Sequence, residues 1–427
     1  MNIDKLYEVY LQHPSVETDT RKIKQGDIFV ALKGPNFNGN HYAQAALDAG
    51  ASCCICDEDP GFISDKIIIT SDSLTTLQAL AKKHREQFNI PFIAITGSNG
   101  KTTTKELIHA VLSSTYTTYT TTGNLNNHIG VPLTLLKIKK DAAFAVVEMG
   151  ANHLQEIAGY CEYAMPTHGL ITNCGKAHLE GFGSEENIRK GKGELFDYLR
   201  AHHGSAFVYW DYEYLHDMSK GISNIIKYGT QENEVTVAGT VSAHAAFLSV
   251  AITKGSAINE INTQLVGDYN LPNVLAAVAV GKAFGIPDEN IKQALEQYAP
   301  SNSRSQLIEL NGNKIILDAY NANPSSMKVA VENFARMDGS NKVLLLGGMM
   351  ELGKDSLAEH EKLVKLIAQS NWQKVVLVGK DFTNLPDSFI HFNSSQEARD
   401  WFKKQVFNDT QMLIKGSRSM QMEKLLE

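Results

Sequence analysis

Short apolar runs that close on a polar residue recur along this chain, with stretches of helical spacing between them. Phe92-Ile93-Ala94-Ile95 runs into Thr96, Phe144-Ala145-Val146-Val147 into Glu148, and Leu170-Ile171-Thr172 into Asn173. Runs that are apolar at every position suit strands covered on both faces, as in parallel sheets flanked by helices. In such sheets ligands bind beyond the carboxyl ends of the strands. The closing residues are therefore the first to weigh for function. After Lys101, the positions Leu107, Ile108, Val111 and Leu112 repeat at helical spacing.

The same pattern divides the chain. Near the start, Ile28 to Leu32, Ala51 to Cys56 and Ile67 to Ile69 read as strands, with helices from about Tyr42 to Ala49 and Leu74 to Phe88. Asn89-Ile90-Pro91 breaks the second helix. From about Gly204 to Val266 the chain alternates with period two and carries few helical cues, which predicts an antiparallel edge or subdomain. A third unit starts near Ser301. Its runs Ile315 to Asp318, Val343 to Gly347, Val375 to Gly379 and Met412 to Lys415 have the βαβ rhythm of an open doubly wound sheet. The reading is an α/β protein of three domains, 1–86, 87–300 and 301–427. A chain of 427 residues is too long for one ordinary core.

Composition narrows the class. With 43% hydrophobic and 20% charged residues the chain reads as a soluble globular protein. Its net charge of −7 argues against nonspecific binding to nucleic acid. No apolar run reaches membrane-span length, and Met1-Asn2-Ile3-Asp4-Lys5 has no signal core. The 5 cysteines form no C-x-x-C pair. Buried, reduced thiols and a cytoplasmic location are expected.

The most specific chemistry lies in Thr96-Gly97-Ser98-Asn99-Gly100-Lys101-Thr102-Thr103. A strand entering a glycine turn and then a helix presents backbone N–H groups to an anion. Lys101 adds a point charge for phosphate, and Thr102 offers a hydroxyl to magnesium. The common phosphate loop carries a further glycine where Ile95 stands. Other candidates remain open on residue type alone. Glu148 is either an acidic magnesium partner or an exposed strand-end carboxylate. His178 is a metal ligand, a general base or a plain loop histidine. Lys192, among Arg189, Lys190 and Glu194, reads by composition as part of a solvated basic face. Asn124, Asn126 and Asn127 form either a ligand site or an asparagine-rich turn. Tyr320-Asn321-Ala322-Asn323-Pro324 is a ligand loop or a proline-terminated turn.

In order along the chain, these segments resemble the Mur ligases, ATP-dependent amide-forming enzymes of peptidoglycan precursor synthesis. The resemblance rests on the phosphate loop, on Thr122-Gly123-Asn124-Leu125-Asn126-Asn127-His128-Ile129-Gly130, on Val147-Glu148-Met149-Gly150-Ala151-Asn152 and on Ala177-His178-Leu179-Glu180. It continues through Gly267-Asp268-Tyr269-Asn270-Leu271-Pro272-Asn273, Asp318 to Met327, and Lys415-Gly416-Ser417-Arg418-Ser419-Met420. Three positions depart from the family pattern. Tyr269 stands where a histidine is common, Gly348 where an aspartate is common, and Asn38-Gly39-Asn40-His41 replaces Asp-Gly-His.

The resemblance implies three parts: an N-terminal α/β UDP-binding domain, a central P-loop ATPase-like domain on a mostly parallel sheet, and a C-terminal Rossmann-like domain that closes on ATP and the incoming amine. It further implies that D-alanyl-D-alanine is joined to UDP-N-acetylmuramoyl-tripeptide through an acyl phosphate, by a cytoplasmic monomer. Other Mur ligases, folylpolyglutamate synthases and a degenerate regulatory relative are the competing classes. By the same carry-over, Gly97 to Thr103, Asn270, Arg304 and Asp318 hold ATP. Thr102, Glu148, His178 and a carbamylated Lys192 hold two Mg²⁺ ions. Thr20, Arg21, Lys33 and Gly34 meet the uridine nucleotide. Asn124, Asn126 and Asn127 meet polar substrate groups, and Tyr320, Asn321 and Asn323 lie near the dipeptide pocket. Lys101, Glu148, His178 and Lys192 carry the catalysis.

Overall fold

The computed structural model describes residues 2–244, 247–300 and 304–427. Among these the strands form three main sheets and one short hairpin. The first sheet is parallel throughout, in the spatial order Val16–Glu17, Ile28–Val30, Cys53–Cys56, Ile67–Ile69. The hairpin pairs Lys33–Gly34 with Phe37–Asn38. The helix Ser73–Arg85 begins at Asp72, whose carboxylate accepts from Thr75 N. With the helix Ile3–Gln12 it docks this unit on the next: Tyr10 Oη of the first helix donates to Leu136 O at 2.5 Å, and His84 Nε2 lies 2.8 Å from Ile138 O. Cys53, Cys54 and Cys56 are buried in their strand, and all five cysteines are free.

The central sheet has nine strands. Phe92–Thr96 lies between His168–Ile171 and Phe144–Glu148, with Thr118–Thr120 at the edge beyond. All five residues of Phe92–Thr96 are buried, as a strand covered on both faces requires. On the other side Ser205–Tyr209, Asn224–Gly229 and Val237–His244 continue in parallel. Phe247–Lys254 and Glu260–Val266 then close the sheet antiparallel. These last strands alternate buried and less buried positions, which is the period-two signal in the sequence. The expected antiparallel edge is therefore confined to the last strands, at the end of the central sheet, while Ser205–Tyr209 and Asn224–Gly229 pair in parallel instead. The scarcity of helical cues misled at one place: Glu213–Ser219 is a helix, anchored by buried Leu215.

The helix Lys101–Ser113 buries Leu107, Ile108, Val111 and Leu112 completely. It packs against Leu271–Ala283, a helix buried nearly all round and placed by that burial beside the phosphate loop. The C-terminal sheet runs Gln306–Leu310, Asn313–Asp318, Gln411–Lys415, Lys342–Gly347, Lys374–Val378, Phe389–Phe392, parallel except for the first pair. It is the open α/β sheet that its apolar runs predict. Among the described residues, no helix is long and apolar enough to cross a membrane.

Candidate active site

A cleft of about 720 Å³ opens where the carboxyl ends of the central strands face those of the C-terminal sheet. Its phosphate loop is held by the strand end next door. Ser98 N donates to Asn173 O at 2.9 Å, and Asn99 N to Asn173 Oδ1 at 3.1 Å. Thr172 Oγ1 donates to Asn99 O at 2.6 Å. This close approach explains Gly97. Its φ is +140°, and a Cβ there would lie 2.0 Å from Thr172 Oγ1. Gly100 turns into the helix at φ +80°, and a Cβ there would meet Asn273 Oδ1 at 2.8 Å. Lys101 folds back and donates to Gly97 O at 2.7 Å and Ser98 O at 3.1 Å. Burial lowers its ammonium from the usual lysine range, and nearby Glu148 partly offsets this.

Glu148 is only 1% exposed, which removes the reading of it as an exposed strand-end carboxylate. Its Oε1 accepts from Thr102 Oγ1 at 3.1 Å and Asn126 Nδ2 at 2.7 Å. Its Oε2 is buried with no hydrogen-bond partner. Lys105, wholly buried, places Nζ 4.0 Å from that oxygen and donates to Thr121 O at 2.6 Å. An orphaned carboxylate oxygen beside a threonine hydroxyl fits a hard divalent cation. Among the described residues no cluster of three or more His, Cys, Asp or Glu side chains could hold an ion by itself. Further ligands would have to come from substrate phosphate, water or a modified side chain, the pattern normal for Mg²⁺.

Lys192 overturns its composition. It sits on the helix Glu185–Ala201 at 1% exposure, its Nζ donating to Ala151 O at 2.8 Å and lying 5.0 Å from the Phe182 ring. Burial, together with the charge of Lys101, pulls its ammonium down to about 7. The local run Arg189-Lys190-Gly191-Lys192 reads as solvated only until the helix is seen to turn this lysine inward.

The asparagine segment is a local turn that also borders the cleft. Asn127 Oδ1 accepts from Gly130 N at 2.8 Å, a local turn bond, while Asn126 reaches Glu148; Asn124 lines the cleft with them. Asn270 is buried at the cleft, its Nδ2 on Val266 O and its Oδ1 accepting from Asn273 Nδ2. Tyr269 Oη lies 2.9 Å from Ser305 Oγ.

The C-terminal domain supplies the far wall. Asp318 and Lys415 sit opposite each other in register on neighbouring strands, joined at 2.7 Å. Lys415 also donates to Asn321 O at 3.1 Å. Arg304 stacks 3.5 Å over the Tyr320 ring. Asn321 Oδ1 accepts from Ala322 N at 2.8 Å. His178 Nδ1 is hydrogen-bonded to Glu351 Oε2, and this contact holds the Glu351 carboxyl below its usual range.

Thr20, Arg21, Lys33 and Gly34 do not line this cleft. They follow the carboxyl ends of strands in the first sheet. Asp19 caps the turn Thr20–Lys22 and pairs with Arg21 at 2.8 Å. Lys33 pairs with Glu58 at 3.1 Å and Asp57 at 3.3 Å. Sequence reasoning left Asn273, Ser325, Glu351 and Lys415 out of the site. Asn273, Ser325 and Lys415 lie inside the family-like motifs, and Glu351 lies three residues beyond Gly348 in a segment whose residue types alone assign it no role.

Models of known domains match the chain in three successive parts. The "Mur ligase family, catalytic domain" matches residues 14–90, the "Mur ligase middle domain" 95–281, and the "Mur ligase, glutamate ligase domain" 303–418. The chain belongs to the Mur ligase family, and its three sheets are the three parts of that fold. Among its relatives is the UDP-N-acetylmuramoyl-tripeptide--D-alanyl-D-alanine ligase of Bacillus subtilis, 33% identical over 99% of this chain and 94% of the relative. The crystal structure of MurF from Acinetobacter baumannii superposes with a TM-score of 0.87 at 30% identity, covering 96% of this chain and 92% of that one. MurF ligase from Thermotoga maritima, solved in complex with ADP, also gives 0.87, at 25% identity over 97% of each chain.

Proposed function

We propose that this chain joins D-alanyl-D-alanine to the terminal carboxylate of UDP-N-acetylmuramoyl-tripeptide at the expense of ATP. The observation that carries the reading is the cleft itself. It gathers Lys101, Thr102, Glu148 and His178 from one domain and Arg304, Asp318, Tyr320 and Asn323 from another. The relatives above, matched over nearly their full length, give the substrates.

A carboxylate is a poor electrophile because oxide would have to leave. In the proposed first step the tripeptide carboxylate attacks the γ-phosphorus, ADP departs, and an acyl phosphate forms. The dipeptide amine then attacks the acyl carbon, and the tetrahedral intermediate expels phosphate. Both steps crowd negative charge, so positive groups set in advance matter most. Lys101 exchanges the carbonyls of Gly97 and Ser98 for phosphate oxygens, and the amides of Gly100 to Thr103, at the start of the helix, cradle the same groups. Thr102 and Glu148 are assigned to one Mg²⁺; His178 and Lys192 to a second. When bound, these ions supply positive charge to the γ-phosphate and the acyl oxygen.

Lys192 is suited to become a carbamate. The neutral amine adds to carbon dioxide and releases a proton, giving an anionic oxygen donor. A lysine brought down to about 7 has that neutral form ready. Asn270, Arg304 and Asp318 are assigned to ATP, and Tyr320, Asn321 and Asn323 to the dipeptide. Asn124, Asn126 and Asn127 are assigned to polar substrate groups. Thr20, Arg21, Lys33 and Gly34, beyond the strand ends of 1–86, are assigned to the uridine nucleotide. Domains 87–300 and 301–427 close around the reaction, in a cytoplasmic monomer.

The test is incubation with ATP, Mg²⁺ and the UDP-tripeptide, with and without D-alanyl-D-alanine. Phosphate release and a product heavier by one dipeptide residue pair are expected only with the dipeptide present. Release that ignores the dipeptide but responds to glutamate or a diamino acid overturns the assignment.

A further inference from the structure

His178 and Glu351 are both non-glycine residues in the left-handed region, with φ +53° and +61°. Such conformations cost energy and persist where the surroundings over-determine them. Here they meet across two domains. The Glu351 carboxylate accepts from His178 Nδ1, and its backbone carbonyl accepts from Glu180 N at 3.1 Å. The loop carrying Glu351 follows the strand Lys342–Gly347 and is anchored on each side by buried Met349 and Leu352. Met349 N donates to the buried His360 Nε2 at 3.0 Å, so the loop is tied to its own domain. The segment around His178 is gripped at a second point, where Lys176 N donates to Ser325 Oγ at 2.8 Å. The side chain of Lys176 also pairs with Glu359 at 3.4 Å.

A carboxylate on Nδ1 fixes the proton there and leaves Nε2 as the nitrogen with a lone pair. We propose that Glu351 is the positioning residue for His178, delivered by the C-terminal domain, so that His178 is set to receive its cation only when that domain is docked. This deepens the ligase reading and rests on it for the cation. It gives domain closure a chemical consequence: the histidine site is completed from the far side of the cleft. Glu351 itself touches neither phosphate nor metal in this scheme.

The test compares Glu351→Ala and Glu351→Gln with the native chain. In the cation-free protein with a non-hydrolysable ATP analogue bound to hold the C-terminal domain docked, ¹⁵N NMR reads the His178 tautomer without any acceptor amine, so it is independent of which ligase reaction the chain performs. The native protein and Glu351→Gln, whose amide oxygen still accepts from Nδ1–H, are expected to hold the Nδ1–H form. Glu351→Ala is expected to show mixed tautomers. With ATP, the UDP-tripeptide and D-alanyl-D-alanine, Glu351→Ala should lower kcat and raise the Mg²⁺ half-saturation by roughly 10–100-fold. KM for the UDP-tripeptide should stay within about threefold, and Glu351→Gln should recover most of the loss. An unchanged tautomer and unchanged Mg²⁺ dependence in Glu351→Ala overturn the proposal. So does a Glu351→Gln variant as impaired as Glu351→Ala. If the native protein holds the single tautomer but shows no dipeptide-dependent turnover, the ligase reading fails and the positioning contact stands.

Discussion

Asn323 Nδ2 donates to Asn99 Oδ1 at 2.7 Å, tying the start of a C-terminal helix to the phosphate loop. The same asparagine caps its helix. Its Oδ1 accepts from Ser326 N at 2.9 Å, and Ser326 Oγ accepts from Asn323 N in return. One side chain thus ends a helix and touches the loop assigned to ATP. Asn323→Asp keeps an acceptor for the cap but brings a negative charge to the phosphate loop. Thermal stability is expected to stay near the native value while KM for ATP rises about tenfold, equivalent to about 1.4 kcal/mol. Asn323→Ala loses the cap as well and should cost about 1 kcal/mol of stability. Steady-state kinetics beside thermal melts separate the two effects.

Glu148→Gln tests the cation site. The amide keeps an oxygen for Thr102 and Asn126, and it removes the negative charge left facing Lys105 and the unpartnered position at Oε2. Turnover should fall by more than about 100-fold, with the far-UV circular dichroism spectrum unchanged. Titration with Mn²⁺ and a non-hydrolysable ATP analogue should show one fewer tightly bound ion. Native ion binding in this variant would remove Glu148 from the site.

The sequence shows the central sheet plainly because its strands are buried on both faces, and continuous apolar runs such as Phe92 to Ile95 need no alternation to be recognised. The phosphate loop is equally legible, since Gly97 and Gly100 are dictated by local geometry. Lys192 is not, on residue type alone. Its neighbours Arg189, Lys190 and Glu194 are those of a solvated face, and only the helix rotation against Phe182 and Ala151 buries it. Glu351 lies 173 residues from His178, so no spacing rule reaches it. The helix Glu213–Ser219 is short and sits between strands, where its few periodic positions are outweighed by β-forming neighbours.

Arg85 tests how firmly the first domain is seated. It is 6% exposed and lies 3.6 Å over the Phe92 ring. Its guanidinium donates to Ala164 O at 2.9 Å, Met165 O at 2.8 Å and Phe88 O at 2.8 Å. Two of these carbonyls close the helix Glu156–Ala164, so the cation also faces the negative end of that helix. Arg85→Ala strands the carbonyls and opens a void, and should cost about 3 kcal/mol or more in chemical denaturation. Arg85→Lys should recover only part of this, because one ammonium lacks the planar fork that spans three acceptors. KM for ATP, measured below the melting transition, should not move.

Lys192 carries a stability cost beside the role assigned to it, and pH separates the two. Its ammonium falls from the ordinary 10.5 to about 7 because burial and Lys101 disfavour the charged form. The unfolded chain therefore binds the proton more tightly than the folded one. Stability gained by shedding the charge grows as pH rises from about 7 towards 10.5, and the cost is present in full below 7. Lys192→Met removes that cost, at most about 5 kcal/mol, and strands Ala151 O at a cost of about 1–3 kcal/mol. The variant should be more stable than the native chain at pH 6 in denaturant titrations, and the gap should close or reverse by pH 10. Its ligase activity should be lost at every pH. In the native enzyme, bicarbonate should raise activity most above pH 7, where the amine is neutral and able to add carbon dioxide, and intact mass should show one added carbon dioxide. A native stability that is flat across this range, with no bicarbonate response, would place Lys192 as a plain buried cation held by Ala151.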